Sequence, residues 1–326
     1  MPRTAKVAFS ALKNKMFFSQ TEMTNLRSMS CRELMAEGLK TKLGHRSDSF
    51  SLCSIMNARS GRCSEDCRFC TQSSHFRTDS PIYPLKDRAE IVADARKAKE
   101  NGANHFSIVT SGRGLHGKDL DQVIETVTAI RDDVGINVCA SLGILNTENF
   151  KRLKEAGLTR YHHNLESSRE FFPKICSSHS FQDRLDTIKA AREAGLEICS
   201  GGIIGLGESE EDRVSLALTL KDNDIDSAVL NILIPLAGTP MADHTPMAVK
   251  DILRTIALFR LILPDIPLRL AAGRETALAD FLSSAFLAGA DGMMIGGYLT
   301  KRGRSPEKDL AFVQDIKKIW TNSLPG

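Results

Sequence analysis

From about residue 50 onward the chain switches repeatedly between two hydrophobic periods. Short apolar, β-branched runs at 50–56, 105–110, 136–140, 159–164, 197–204, 227–232, 268–271 and 292–295 read as strands. The segments between them carry helical spacing. The clearest places Phe181, Leu185, Ile188 and Ala191 on one face behind Ser180, an N-cap. Thr245 followed by Pro246 marks another start, because proline suits the first helical position. Further helices fit 87–100, 118–132, 208–221 and 277–288. Eight strands alternating with helices over about 250 residues predict an α/β fold, a parallel (β/α)8 barrel of the TIM type. Spacing alone leaves an open doubly wound sheet as the alternative. Residues 1–45 are weakly patterned, with Leu26, Met29 and Leu34 suggesting a short helix or two. The chain therefore divides into an N-terminal helical extension, 1–45, and a barrel, 46–326.

Composition narrows the function classes. Of 326 residues, 42% are hydrophobic and 25% charged, which fits an ordinary globular chain. A net charge of +3, evenly spread, argues against nucleic acid or an anionic membrane as a partner. The best apolar run, 256–263, is interrupted by Arg260 and is too short to span a bilayer. Residues 8–12 are too few and too polar for a signal-peptide core, so a cytoplasmic protein is expected. Eight cysteines in that compartment point to metal or redox work instead of disulfides.

Three of them share one segment, Cys63-Ser-Glu-Asp-Cys67-Arg-Phe-Cys70, with C-x3-C-x2-C spacing. It follows the first predicted strand, so it falls in a loop on the face where barrel enzymes collect their chemistry. Three thiolates on one loop can each bind one iron of a cubane, leaving the fourth iron without a protein ligand. An open position suits a substrate or cosubstrate, as it does in catalytic zinc sites. A zinc knuckle would need a second close pair, which His162-His163 and the scattered cysteines do not provide.

This spacing resembles the signature of the radical S-adenosylmethionine (SAM) superfamily. The resemblance implies that a 4Fe-4S cluster on Cys63, Cys67 and Cys70 binds SAM and reduces it to methionine and a 5′-deoxyadenosyl radical. Over residues 50–300 it sharpens. The segments 54–63, Tyr161-His-His-Asn-Leu-Glu166, 199–208 and Arg269-Leu-Ala-Ala-Gly-Arg274 together resemble the biotin synthase family. That implies sulfur insertion into dethiobiotin, with an auxiliary iron–sulfur cluster (2Fe-2S or larger) as the sulfur source. It also implies a reduced flavodoxin or ferredoxin as electron donor, and a homodimer.

The same resemblance assigns residues. Cys139, Cys199 and Arg269 match three of the four auxiliary-cluster ligands of the common form. The fourth position is a departure, because Ser107 stands where the family has cysteine, and serine binds iron–sulfide poorly. Cys176 appears where the common form has an aliphatic residue, which suggests a relocated ligand, as in variant biotin synthases of anaerobes. Cys53 is a further ligand or packs in the core, and Cys31 packs. Phe69 matches an aromatic that packs on the cofactor, and Thr110 ends the strand that holds the methionyl amine. Asn164 and Glu166 match contacts to substrate and ribose, and the Arg184 fork suits the SAM carboxylate. Gly201, Gly202, Gly205 and Gly207, with Ile203 among them, would let the backbone approach adenine. Asn231 would pair with the ureido ring of dethiobiotin, and Thr300 and Lys301 with its carboxylate. The competing expectations are a biotin-synthase-like mutase or cofactor maturase that inserts no sulfur, and a zinc-binding interaction module.

Overall fold

The computed structural model describes residues 20–296 and 303–321. Eight parallel strands close on themselves in chain order: β1 (Ser51–Arg59), β2 (His105–Thr110), β3 (Asn137–Ser141), β4 (Arg160–His162), β5 (Glu197–Ile204), β6 (Ser227–Ile232), β7 (Leu268–Leu270) and β8 (Gly292–Met294). Closure runs through Ser51 opposite Gly292 and Cys53 opposite Met294, which removes both sheet edges and excludes the open sheet.

Around it lie α1 (Gln20–Ser28), α2 (Cys31–Arg46), α3 (Arg88–Glu100), α4 (Gly117–Asp133), α5 (Thr147–Ala156), α6 (Phe181–Glu193), α7 (Glu210–Asp222), α8 (Val249–Ile262), α9 (Arg274–Leu278), α10 (Leu282–Leu287) and α11 (Pro306–Trp320). Ser180 and Ser209 close capping boxes with Asp183 and Asp212 at the starts of α6 and α7, satisfying free N–H groups at both ends of the box. Among the described residues no helix is long and apolar enough to cross a membrane.

Two predicted helices differ from the sequence pattern. The helix expected at Thr245-Pro246 begins at Val249, and its N-cap is Ala248 in extended geometry. The intervening residues stay outside the helix while Met247 packs toward Gly205 and the core, a tertiary contact that overrides the proline signal. The helix expected over 277–288 is two short helices joined by a 3-10 turn at Ala279–Phe281, where Ala279 takes φ +43°. Its start moves back to Arg274, which is anchored inside the fold.

Period-two alternation sorts the strand side chains. Ile55, Ser107, Val109, His162, Val229, Asn231, Ala271 and Met294 line the cavity at the C-terminal mouth. Two residues earlier on their strands, Cys53, His105, Arg160, Ser227 and Arg269 point the same way, one layer deeper. Cys139 and Cys199 face the same interior between the two layers: each pairs with one residue of the deeper layer (Arg160, Ser227) and one of the cavity lining (Ser107, His162). The barrel interior is therefore polar at depth. Gly292 makes room for it: a Cβ there would stand 2.8 Å from the Arg269 side chain.

Candidate active site

The loop after β1 carries the three clustered cysteines and is pinned by its own backbone. The Cys63 N–H donates to the Gln72 carbonyl (3.0 Å), the Ser74 N–H to Cys63 (2.8 Å) and the Cys70 N–H to Cys67 (2.9 Å). The Gln72 side-chain oxygen accepts from the Ser60 hydroxyl and the Gly61 N–H, so the loop returns to the end of the strand. Cys63, Cys67 and Cys70 all face one cavity of about 340 Å³ and all are free thiols. Burial pushes the Cys70 thiol up to about 11, helped by Cys63 and Glu166 nearby. Three thiols on one loop, opening on one cavity, fit a cubane held through three thiolates. A bound iron would overcome the raised thiol, since metal ligation deprotonates it outright.

The other predicted cofactor residues converge on the same mouth. Phe69, Asn164, Glu166 and Asn231 line both this cavity and an adjoining one of about 370 Å³. Thr110 and Arg184 line the first and Ile203 the second. The Thr110 hydroxyl is buried without a partner, and so is the Arg184 Nε, which leaves donors free for a ligand. Arg184 otherwise donates to the Asn164 carbonyl (2.8 Å) and lies 3.8 Å from Glu166. Burial raises the Glu166 carboxyl, partly offset by Arg184. The Asn231 side-chain oxygen accepts from the Ala272 N–H (3.0 Å), and its amide nitrogen makes only a long contact to Gly202 (3.4 Å).

The glycines of β5 are required by the packing of the barrel itself. A Cβ at Gly201 would stand 1.8 Å from the Val229 carbonyl, and one at Gly202 would stand 2.4 Å from that of Glu166. Their small size admits neighbouring strands and the β4 loop, with no adenine needed to explain it.

Below the cavity floor, Cys139 and Cys199 are fully enclosed, and Arg269 is 2% exposed. Arg269 Nε and Nη1, Arg160 Nη1 and His105 Nδ1 are buried at this depth without partners, and Ser107 Oγ and His162 Nε2 are unpartnered in the cavity lining just above. Such a density of orphaned polar atoms is costly unless a further group sits among them. Two thiols and an unpaired guanidinium match the donors an iron–sulfur cluster takes, so this layer fits an auxiliary cluster. Burial raises the Cys53 thiol, and Cys53 pairs with His105 across β1 and β2, which puts it in the same layer. Ile55, Val229, Ala271 and Met294, which pack around Cys53, also line the cavity above.

Cys176 is not brought to Cys139 and Cys199. The chain after β4 turns through a 3-10 turn at Phe172–Lys174 and folds beneath the cysteine loop. Asp66 fixes it there by accepting from the Ser177 and Ser178 N–H groups (2.9 and 3.0 Å). The Cys176 sulfur consequently faces Cys67, 3.7 Å away, with His179 Nδ1 at 3.3 Å. The Cys67 thiol donates to the Cys176 sulfur, which lowers Cys176 and raises Cys67. Sequence reasoning passed over His179, Glu65, Arg160 and His105. The C-x2-H spacing from Cys176 to His179 was the available signal for the first. Thr300 and Lys301 lie outside the described residues.

A closed (β/α)8 barrel that opens three thiols of its first loop onto the mouth has the architecture of a radical SAM enzyme. The family model described as "Radical SAM superfamily" matches residues 58–220. A second, described as "Biotin and Thiamin Synthesis associated domain", matches 229–317. The biotin synthase of Pelotomaculum thermopropionicum is 49% identical over 285 residues, covering 87% of this chain and 89% of the relative. That of Citrifermentans bemidjiense is 43% identical over 90% of both chains. The chain belongs to the biotin synthase family. Solved structures of a methylornithine synthase (TM-score 0.79, 17% identity, 92% of this chain and 93% of that one) and of an FeFe-hydrogenase maturase from Carboxydothermus hydrogenoformans (TM-score 0.76, 19% identity, 89% and 72%) share the fold. At such identities they show the fold alone, so the mutase or maturase alternative gains nothing from them.

Proposed function

We propose that the chain inserts sulfur into dethiobiotin to form biotin. The observation that carries this is the stacking of two separate thiol layers along one barrel. The triad lies at the mouth, and Cys139, Cys199 and Arg269 lie beneath a cavity whose floor includes Ser107, the β-partner of Cys139. A substrate in that cavity stands between a radical source and a sulfur source.

Cys63, Cys67 and Cys70 would hold a 4Fe-4S cluster, and Cys139, Cys199 and Arg269 the auxiliary cluster. When bound at the mouth and reduced, the 4Fe-4S cluster would supply the one-electron reduction of SAM on which hydrogen abstraction from dethiobiotin depends. The chain's own groups then position the reactants. Arg184 offers its free Nε to the SAM carboxylate, and Thr110 binds at the methionyl end. Asn164 and Glu166 accept from ribose, while Phe69 and Ile203 enclose the base. Asn231 has an N–H and a lone pair to spare for a ureido ring. Thr300 and Lys301 would meet the substrate carboxylate. Cys53, which pairs with His105 of the lower layer, would substitute for the cysteine missing at Ser107.

Reduced flavodoxin or ferredoxin as donor and a homodimeric working form rest on the family resemblance. Eight free thiols suit the reducing cytoplasm. The test is anaerobic turnover of reconstituted enzyme with SAM, dethiobiotin and a reductant. Wild type should yield biotin, whereas Cys139→Ala and Cys199→Ala should still cleave SAM but form none. Iron content should fall in Cys53→Ala. Biotin formation untouched in Cys139→Ala, or SAM cleavage without biotin in wild type, would refute the proposal.

A further inference from the structure

A separate cavity of about 750 Å³ flanks the cysteine loop. It shares Ser111, Gly112 and Arg113 with the mouth cavity and borders Arg62 and Ser64, the neighbours of Cys63, but none of the triad cysteines. Arg59, Arg62, Arg113 and His116 line it, and no carboxylate does. The carboxylates of the loop turn inward: Glu65 accepts from the Ser178 hydroxyl (2.8 Å) and meets His179 (2.5 Å), and Asp66 accepts from the Ser177 and Ser178 N–H groups. Asp119 balances Arg59 (3.1 Å), and the half-exposed Arg113 lies 3.6 Å from Glu65. Arg62 is exposed, and among the described residues its side chain has no hydrogen bond or ion pair. Its backbone is constrained all the same. Gly61 and Arg62 take φ +75° and +49° in succession, and the second is a strained angle for arginine. Gln72 holds them there, accepting from the Gly61 N–H with its side chain and from the Cys63 N–H with its carbonyl. Ile82 packs on Gly61, where a Cβ would stand 2.7 Å from it, yet Ile82 is 61% exposed. Tyr83 beside it is fixed by a bridge to Ser60 and by its hydroxyl, which donates to the Asn57 carbonyl (2.9 Å). An exposed aliphatic and a fixed tyrosine among arginines have the composition of a protein contact surface; a small anion would need only the arginines.

We infer that this cavity, centred on Arg62 and Ile82, is where an acidic one-electron carrier protein docks to reduce the radical cluster. Charge complementarity selects an acidic face and steers its approach. Position selects an electron carrier, because Arg62 and Ser64 each stand one residue, about 3.8 Å of chain, from Cys63. A carrier seated here is separated from the cluster by a single loop and occupies a cavity other than the one that takes SAM. One electron leaves the carrier and enters the cluster, with no atom or proton transferred. The inference rests on the reading of Cys63, Cys67 and Cys70 as cluster ligands.

The test uses the reconstituted full-length enzyme with an acidic flavodoxin as the carrier, and compares wild type with Arg62→Glu and Ile82→Asp. In anaerobic 5′-deoxyadenosine formation, KM for reduced flavodoxin should rise at least about tenfold in each variant. With dithionite, a small reductant that needs no docking, each variant should match wild type, which also shows that it is folded and loaded. Titration calorimetry with oxidised flavodoxin at low salt should give a matching loss of affinity without any turnover. Wild-type affinity should fall as salt rises, and that of Arg62→Glu less steeply. Unchanged KM and affinity in both variants, or a loss of rate that persists with dithionite, would overturn the docking surface. SAM cleavage comes before sulfur transfer, so a wild type that cleaves SAM without forming biotin would refute sulfur insertion while these differences, and the docking surface, still stand.

Discussion

Glu166 takes φ +68°, a left-handed conformation that costs a non-glycine residue about 1–2 kcal/mol. It is held there from both sides. Its N–H donates to the Gly201 carbonyl (3.0 Å) and its carbonyl accepts from the Ile203 N–H (2.9 Å). The strained backbone turns the carboxylate into the mouth cavity, beside Arg184 and Asn164. A buried carboxylate with so few internal partners is poised to accept hydrogen bonds from a ligand. Glu166→Gln keeps the shape but replaces an acceptor-only group by one that is half donor. SAM affinity of the reconstituted enzyme should drop about tenfold, or about 1.4 kcal/mol, with a smaller change in kcat. Equilibrium dialysis with labelled SAM measures it, and equal affinity in the two proteins would remove Glu166 from the ribose contact.

At the scale of elements, α2 is clasped against the barrel wall by two close approaches. A Cβ at Gly38 would stand 2.4 Å from the Ala288 carbonyl, so glycine lets α2 press against the end of α10. One turn further on, Lys42 is fully buried, donates to the Ser47 carbonyl and sits over the Trp320 ring at the end of α11. Burial lowers its pKa to about 7, with Asp291 opposing the shift. Between about pH 7 and about pH 10 the unfolded chain therefore carries a proton that the folded chain lacks, and stability rises with pH through that window. Lys42→Met should flatten the rise, seen as urea midpoints that no longer increase between about pH 7 and about pH 9.5. A slope equal to wild type would show that Lys42 stays charged in the fold.

Such an inward lysine has no signature in the pattern, which explains where reading from sequence stops. Strands were legible because β2, β5 and β6 are dense β-branched runs whose ends match the structure. The N-cap of α6 at Ser180 is local, so it was legible too, whereas the cap of α7 at Ser209 was passed over and that helix was expected from 208. The break at Ala279 and the delayed start of α8 depend on contacts remote in sequence, and local spacing does not encode them. The triad was legible as a motif. The placement of Cys176 was not, because it hangs on Asp66 reaching 110 residues ahead to fix the loop.

Across the whole molecule, a second buried cation besides Lys42 ties the last segment to the barrel. Arg274 opens α9, is fully buried, and donates to the Met294 carbonyl at the end of β8 (3.0 Å) and to Asp309 in α11 (2.9 Å). It therefore ties the β7 end, the β8 end and the closing helix at one point, beside Gly273 and Glu275, which line the second cavity. An ion pair this deep gains little over an apolar pair of the same volume, because both charges lost their water on folding. Breaking it on one side is different, since the buried Asp309 is then left with only the longer Arg304 contact (3.4 Å). Arg274→Met should lower stability by about 3–5 kcal/mol, and Arg274→Met/Asp309→Leu should recover most of that loss. Urea unfolding of the three proteins decides it. A double variant no more stable than the single one would mean that the Met294 carbonyl contact, which both variants lose, holds the segment, and not the charge pair.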